Sequence, residues 1–164
     1  MLKIGKYNRN MSINYAQEYA LTRNSNYFDY SQIGGNCTNF VSQCVYAGAP
    51  IMNYSENGWF YISPSKTSLS WANVEPLFSF ITNNKGVGVF GKESPIAMCE
   101  PGDIIQLKFK NKEQFSHCLL VTEVITHTPK GIFICANSRD VKNVPVSFYS
   151  YEKIRLIHIL GYRS

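Results

Sequence analysis

Apolar residues recur at helical spacing in three segments of the first half of the chain. They predict helices over residues 9–23, 37–47 and 71–84. Asn8 suits the N-cap of the first helix, and Gly48 with Pro50 ends the second. Pro76 falls in the first turn of the third helix, where proline is tolerated. Residues 52–70 lack a clear period and predict a long covering loop.

After residue 87 the helical period gives way to short runs of β-branched and apolar residues. These runs predict strands over residues 104–109, 116–124 and 132–136 and within 154–162. Turns at Pro101-Gly102-Asp103 and Pro129-Lys130-Gly131 separate them. Helices followed by an antiparallel meander predict an α+β fold, with the helices packed on one side of a small curved sheet. With no linker in the sequence, we expect one domain spanning residues 1–164.

Charge and cysteine content narrow the class of protein. The net charge is +5 without a run of five basic residues, so we expect no nucleic-acid partner. The five cysteines are odd in number and form no CxxC, which excludes a complete disulfide framework and a zinc ribbon. We expect no metal. We also expect no cofactor and a monomer.

Cysteine usage and the apolar runs also bear on the compartment. The N-terminal residues lack the apolar core of a signal peptide, and no run is long enough to predict a membrane span. Unpaired cysteines favour a reducing, cytoplasmic compartment. The alternative is a secreted cell-wall domain, if the chain is a piece of a longer protein.

Cys37 opens the second predicted helix, directly after Gly34, Gly35 and Asn36. A thiol at a helix start lies near unpaired N–H groups and the positive end of the helix dipole, and both favour the thiolate. The glycines allow a sharp turn and leave space for a substrate, and the same N–H groups could hold an oxyanion. These features indicate a nucleophile. The alternative is a buried structural cysteine after a glycine turn.

A nucleophilic cysteine needs a base, and His117 is the best placed histidine because it begins a predicted strand just after a turn. His127 lies in a turn and His158 lies among the apolar residues of the last strand, so we interpret both as non-catalytic. Asn137 ends the following strand, where its amide oxygen could accept the Nδ1 proton of the imidazole. The alternatives are an Asx-turn role for Asn137, or Asp140 as the third residue.

Several motifs now stand in a fixed order: Tyr7-Asn8-Arg9, Tyr15-Ala16, Tyr19-Ala20, Gly34-Gly35-Asn36-Cys37-Thr38-Asn39-Phe40-Val41-Ser42-Gln43-Cys44, Ala47-Gly48, Trp59-Phe60-Tyr61, Ser70-Trp71, and Pro101-Gly102-Asp103-Ile104-Ile105-Gln106 followed by Ser116-His117. This order resembles the bacterial "putative amidase domain" family, which is similar in logic to the papain-like NlpC/P60 and CHAP cysteine peptidases. The resemblance implies a small β-barrel packed on a helix whose first residue, Cys37, is the nucleophile, with His117 as the base. The family usually has an acidic residue where this chain has Asn36, and commonly a His at the position of Asn137.

Together these features predict a cysteine amidase or peptidase that acts through a thioester on a peptide or amide, such as those of peptidoglycan. Trp59, Tyr61 and Trp71 are expected to wall a substrate groove, with a role as core anchors as the alternative. Asn36 and Ser116 flank the nucleophile and the base and are expected to contact substrate. Three other functions stay open: an inactive binding module, an acyltransferase that passes the thioester to an amine, and a zinc site of cysteine and histidine.

Overall fold

The computed structural model describes all residues 1–164. The helices lie in the first half of the chain, and most strands of the sheet follow them. The helices are α1 (Arg9–Tyr19), α2 (Cys37–Gly48), α3 (Leu69–Ala72) and α4 (Val74–Asn83). The strands are β1 (Ile4–Gly5), β2 (Tyr61–Ser63), β3 (Lys66–Thr67), β4 (Gly88–Ser94), β5 (Ile104–Lys108), β6 (His117–Val124), β7 (Ile132–Ala136), β8 (Val141–Pro145) and β9 (Lys153–Arg163).

Seven strands form one antiparallel sheet in which β9 pairs with three other strands. β9 pairs along one edge with β4, and along the other with β5 and then β1. β6, β7 and β8 extend the sheet beyond β5, while β2 and β3 form a separate hairpin. The α+β class is therefore confirmed. The closed barrel was wrong, because the edge strands β4 and β8 do not pair with each other and the sheet stays open.

Side chains of the sheet alternate between two cores on its opposite faces. Ile104 and Leu120 belong to the core that the helices cover. Ile105, Leu107 and Leu119 belong to the second core, on the other face. Burial of both faces explains why β5 and β6 read as nearly continuous apolar runs rather than as alternating ones.

α2 is the central helix of the helical layer and is buried along almost its whole length. It packs against α1, α3 and β6. Gly48 allows the end of α2 to approach Tyr7, which precedes α1, because a Cβ at Gly48 would lie 2.5 Å from the ring of Tyr7. The buried body of α2 thus fixes its first residue, Cys37, beside β6.

The observed elements differ from the predicted ones in two instructive places. The third predicted helix is two helices, since Asn73 between α3 and α4 is extended, with φ −130° and ψ 142°. Pro76 explains the break, because it has no N–H to donate to Ala72 in a continuous helix. The predicted loop over residues 52–70 contains the β2–β3 hairpin. The sequence pattern also missed the strands β1, β4 and β8.

Candidate active site

Cys37 is the first residue of α2, and the loop before it turns through two glycines. Gly34 and Gly35 have left-handed φ angles of 85° and 107°, which favour glycine. The side chain of the N-cap residue Asn36 accepts from no backbone N–H of the helix. The backbone N–H groups of Cys37 and Thr38 interact with the thiol, an effect that by itself lowers the pKa of the thiol. The helix start therefore presents N–H donors around the sulfur.

β6 brings His117 to the same place. The thiol of Cys37 lies beside the backbone N–H of Cys118, the residue after His117. Nε2 of His117 is 3.3 Å from Oη of Tyr149, and Cys37 also acts electrostatically on Tyr149. Thiol, imidazole and phenol therefore share one site. The thiol itself contacts Oγ1 of Thr38 at 3.8 Å and is not hydrogen-bonded to the imidazole.

Burial dominates the electrostatics of the cysteine and the histidine. It raises the pKa of Cys37, and the surrounding N–H groups offset this only in part. It lowers the pKa of His117 to about 4. At neutral pH the resting site therefore holds a neutral thiol and a neutral imidazole. The expected thiolate was wrong for this resting state, because desolvation outweighs the stabilisation that the helix start provides.

Asn137 lies close to the site but faces α2 and not the imidazole. Its Oδ1 accepts a hydrogen bond from Nδ2 of Asn36 at 3.0 Å, and its Nδ2 donates to the carbonyl of Ala20 at 2.9 Å. Both ends of the amide are thus used, and the expected bond from Asn137 to His117 is not formed. Asp140 does not replace it, since its two oxygens each accept from Arg23 at 3.0 Å.

A groove with a volume of about 960 Å³ opens over His117 and Tyr149. Ser116 and Arg139 are among the residues that line it. Phe148 also lines the groove, and it is 61% exposed. The groove therefore reaches the imidazole, whereas contact of Ser116 with a substrate stays a prediction.

Comparison with known proteins identifies the family. The family described as "Putative amidase domain" matches residues 6–160. The chain belongs to this family. The uncharacterized protein YhbB of Bacillus subtilis (strain 168) is 29% identical over 151 residues, which make up 90% of this chain and 45% of YhbB, so the chain spans less than half the length of that relative. No solved structure matches the chain.

Membership of the amidase-domain family indicates hydrolysis of amide bonds in general, and hence a hydrolase. In this amidase domain the five cysteines are all free. No three of its His, Cys, Asp and Glu side chains are grouped so as to hold a metal ion. None of its helices combines the length and the apolar character that crossing a membrane requires.

Two aromatic residues expected to wall a groove are core residues of the amidase domain. Trp59 and Trp71 are fully buried, with ring centroids 4.8 Å apart. Nε1 of Trp59 donates to Ser42 Oγ at 3.0 Å, and Nε1 of Trp71 donates to Asn39 Oδ1 at 2.8 Å. Their interpretation as groove residues was wrong, because buried acceptors on α2 satisfy both indoles inside the core. They anchor the segment before α4 to α2.

Tyr61 and Asn36 support the loop before Cys37. Tyr61 is half-buried, and its hydroxyl accepts from the backbone N–H of Phe28 at 2.9 Å. Asn36 is buried, and its Oδ1 accepts from the backbone N–H of Tyr30 at 3.0 Å. Both side chains therefore hold the loop in place, whereas contact of either with a substrate stays a prediction.

Tyr149 is the site residue that the sequence pattern missed. It follows a 3-10 turn at Val146–Phe148, far along the chain from His117. Burial raises its pKa to about 12, so its phenol stays protonated at neutral pH. A tyrosine after an irregular turn carries no periodic signal, and only the folded chain shows that it contacts His117.

The low pKa of His117 predicts a pH-dependent stability for the amidase domain. Its value of about 4 lies below the ordinary 6.5, so between these values the unfolded chain binds the proton more readily than the folded one. The lowered pKa therefore has little effect on the free energy of unfolding above pH 6.5. This free energy decreases as the pH falls toward 4. At pH 5 the loss is about 2 kcal/mol.

Urea unfolding at pH 7 and pH 5 measures this loss. His117→Gln should lose about 2 kcal/mol less than the wild type over this interval, because its side chain does not titrate. His127→Gln removes an exposed histidine of the β6–β7 turn and should behave like the wild type. Equal pH dependence in the wild type and His117→Gln would contradict the prediction.

Proposed function

We propose that this amidase domain hydrolyses amide bonds with Cys37 as the nucleophile and His117 as the general base. One observation carries the proposal: the thiol at the start of α2 lies beside the backbone N–H of Cys118, the residue after His117, and a groove opens over His117. A helix-start cysteine beside a histidine of an antiparallel sheet is also the arrangement of papain-like peptidases, which supports the NlpC/P60-type interpretation. The family contributes the reaction class, amide hydrolysis.

The proposed reaction begins with attack of the Cys37 sulfur on the amide carbonyl carbon, while the thiol proton passes to His117. In the proposal the N–H groups of Cys37 and Thr38, which act on the thiol, stabilise the resulting oxyanion. The C–N bond then breaks, and His117 returns the proton to the leaving amine. Water attacks the thioester with His117 as base, releasing the acid and restoring the thiol. Because both groups rest neutral, proton transfer accompanies the attack.

Tyr149 acts in this proposal as a positioning residue for the base. Its hydroxyl bonds to Nε2 of His117, which leaves Nδ1 for the thiol. When Nε2–H donates to the phenol oxygen, Nδ1 is the unprotonated nitrogen that a general base requires. Tyr149 thus takes the part that the sequence assigned to Asn137.

Tyr149→Phe should lower kcat about tenfold and leave KM within about twofold, because the ring stays and only the orienting hydrogen bond is lost. Steady-state kinetics of amine release together with a thermal unfolding curve provide the measurement. Tyr151→Phe is a matched control, since Tyr151 is also half-buried and lies two residues away. An unchanged kcat in Tyr149→Phe, or an equal loss in Tyr151→Phe, would remove Tyr149 from the mechanism.

Iodoacetamide labelling tests the nucleophile without a known substrate. Near neutral pH, Cys37 should be alkylated well before the other four cysteines, which are at most 2% exposed. His117→Ala should slow alkylation of Cys37 at least about tenfold, because the buried thiol then lacks its base. Peptide mapping by mass spectrometry identifies the labelled residue. Equal, slow labelling of all five cysteines would favour a binding module of the same fold over an enzyme.

The substrate and the acceptor are further parts of the proposal. We propose peptide amides, such as those of the bacterial wall, as substrates. An acyltransferase would use the same thioester but pass the acyl group to an amine instead of water. Product analysis with and without an added amine separates the two, since only a transferase accumulates the new amide.

A further inference from the structure

The groove over His117 carries two positive charges that no carboxylate balances. Lys112 and Arg139 line it, and neither takes part in an ion pair. Asp140 is the acidic residue of the lining, and Arg23 binds both of its oxygens. Tyr149, with its raised pKa, and His117, with its lowered pKa, are neutral at pH 7. The groove is therefore electropositive.

The backbone fixes Arg139 at this place. Ser138 and Arg139 have left-handed φ angles of 43° and 72°, a conformation that residues other than glycine rarely adopt. Oγ of Ser138 accepts the backbone N–H of Asn36, so this turn is tied to the residue before the nucleophile. The charge of Arg139 reaches the site, since it acts electrostatically on the phenol of Tyr149. Arg139 thus lines the same groove as His117 and Tyr149, with a guanidinium in no ion pair.

We propose that Arg139, assisted by Lys112, binds a carboxylate of the substrate, so that the preferred substrates are amides with a carboxylate close to the scissile bond. This inference rests on the proposed function and adds the substrate class to it. A guanidinium matches a carboxylate through two parallel hydrogen bonds, whereas an ammonium acts as a point charge. Arg139 is therefore the specificity residue, and Lys112 strengthens the attraction.

Two alkylating reagents of nearly equal size test the inference, since iodoacetate carries a carboxylate and iodoacetamide is its neutral counterpart. The measured quantity is the ratio of their second-order rates with Cys37 at pH 7 and low salt, followed by mass spectrometry. Arg139→Gln should lower the iodoacetate-to-iodoacetamide ratio about fivefold, and 0.5 M salt should lower the wild-type ratio in the same direction. Arg139→Lys should keep much of the ratio, because the charge remains.

Lys130→Gln is the matched control. Lys130 lies in the turn after β6, at the opposite end of the strand from His117, roughly 25 Å away by strand length. Its removal takes the same charge from the protein but should leave the ratio unchanged. A ratio that Arg139→Gln does not alter would overturn the carboxylate site while leaving the nucleophile intact. Failure of both reagents to select Cys37 would instead contradict the proposed function itself.

Discussion

Replacing Cys37 with Ser should abolish amide hydrolysis, with a loss of at least about 10³-fold in kcat/KM. A serine hydroxyl is a far weaker acid than a thiol. The imidazole of His117, whose pKa is lowered to about 4, is too weak a base to remove the hydroxyl proton. The substitution exchanges one atom at the half-buried Cys37 and leaves the backbone of α2 unchanged, so the fold should be kept. Amine release from solubilised bacterial wall peptides, together with a thermal unfolding curve, gives the measurement.

Cys99→Ser provides the control for this experiment. Cys99 belongs to the core on the opposite face of the sheet from the helices, so its substitution should alter stability without touching the site. Hydrolysis should continue in Cys99→Ser at nearly the wild-type rate per folded molecule. Retained hydrolysis in Cys37→Ser, with the same products, would refute the assignment of the nucleophile.

The sequence predicted those parts of the fold that repeat locally. α2 and the strands β5, β6, β7 and β9 follow from runs of apolar residues that a helix or strand must bury. Cys37 could be assigned to a helix start, since the glycines before it and the apolar period after it are both local signals. β1 and β4 could not be predicted, because their pairing with the long β9 depends on residues far apart in the chain.

The third group beside the base shows why the site was only partly predictable. Asn137 was selected from its position at the end of β7, and the structure does place it near the site. Its partners are Asn36 and Ala20, whereas the phenol of Tyr149 reaches His117. Strand position fixes where a backbone lies, but which of several nearby polar side chains turns to the imidazole depends on every competing hydrogen bond.

The resemblance to the amidase family implies departures at Asn36 and Asn137, and in the structure these two side chains are hydrogen-bonded to each other. Both departures therefore concern a single contact, which joins the start of α2 to the end of β7. An amide pair keeps that contact without a charge. Neutral residues at these two positions therefore do not by themselves favour the inactive binding module, because Asn137 still holds Asn36, the residue before Cys37, in place.

Asp103 is the other residue whose role the sequence did not predict, since it was interpreted only as part of a turn. Its carboxylate is fully buried at the start of β5. Oδ1 accepts from Nη1 of Arg9 at 2.8 Å and from the backbone N–H of Ile159 at 3.0 Å. Oδ2 accepts from the backbone N–H of Glu100 at 2.9 Å and lies 2.8 Å from Nδ1 of His158. One side chain thus joins α1, β9 and the turn before β5.

Asp103→Ala should destabilise the protein by about 3–5 kcal/mol, a large part of the stability of a domain of this size. The loss is large because Arg9 loses its buried carboxylate partner and keeps only that of the exposed Glu100, and the N–H groups of Glu100 and Ile159 are left without an acceptor. Asp103→Asn should cost less but still destabilise, since one amide group must replace an oxygen that accepts from the Glu100 N–H. Urea unfolding at pH 7 measures both variants.

Glu152→Gln is the control for Asp103, because it removes a carboxylate from an ion pair with Lys108 at the surface and should leave the unfolding midpoint nearly unchanged. Asp103 lies at the opposite end of β5 from Leu107, the residue that pairs with His117. Alkylation of Cys37 by iodoacetamide in the folded fraction of Asp103→Asn should therefore keep its wild-type rate. A stable Asp103→Ala protein would show that the buried carboxylate does not hold α1 to the sheet, and a slowed alkylation would show that this network reaches the site.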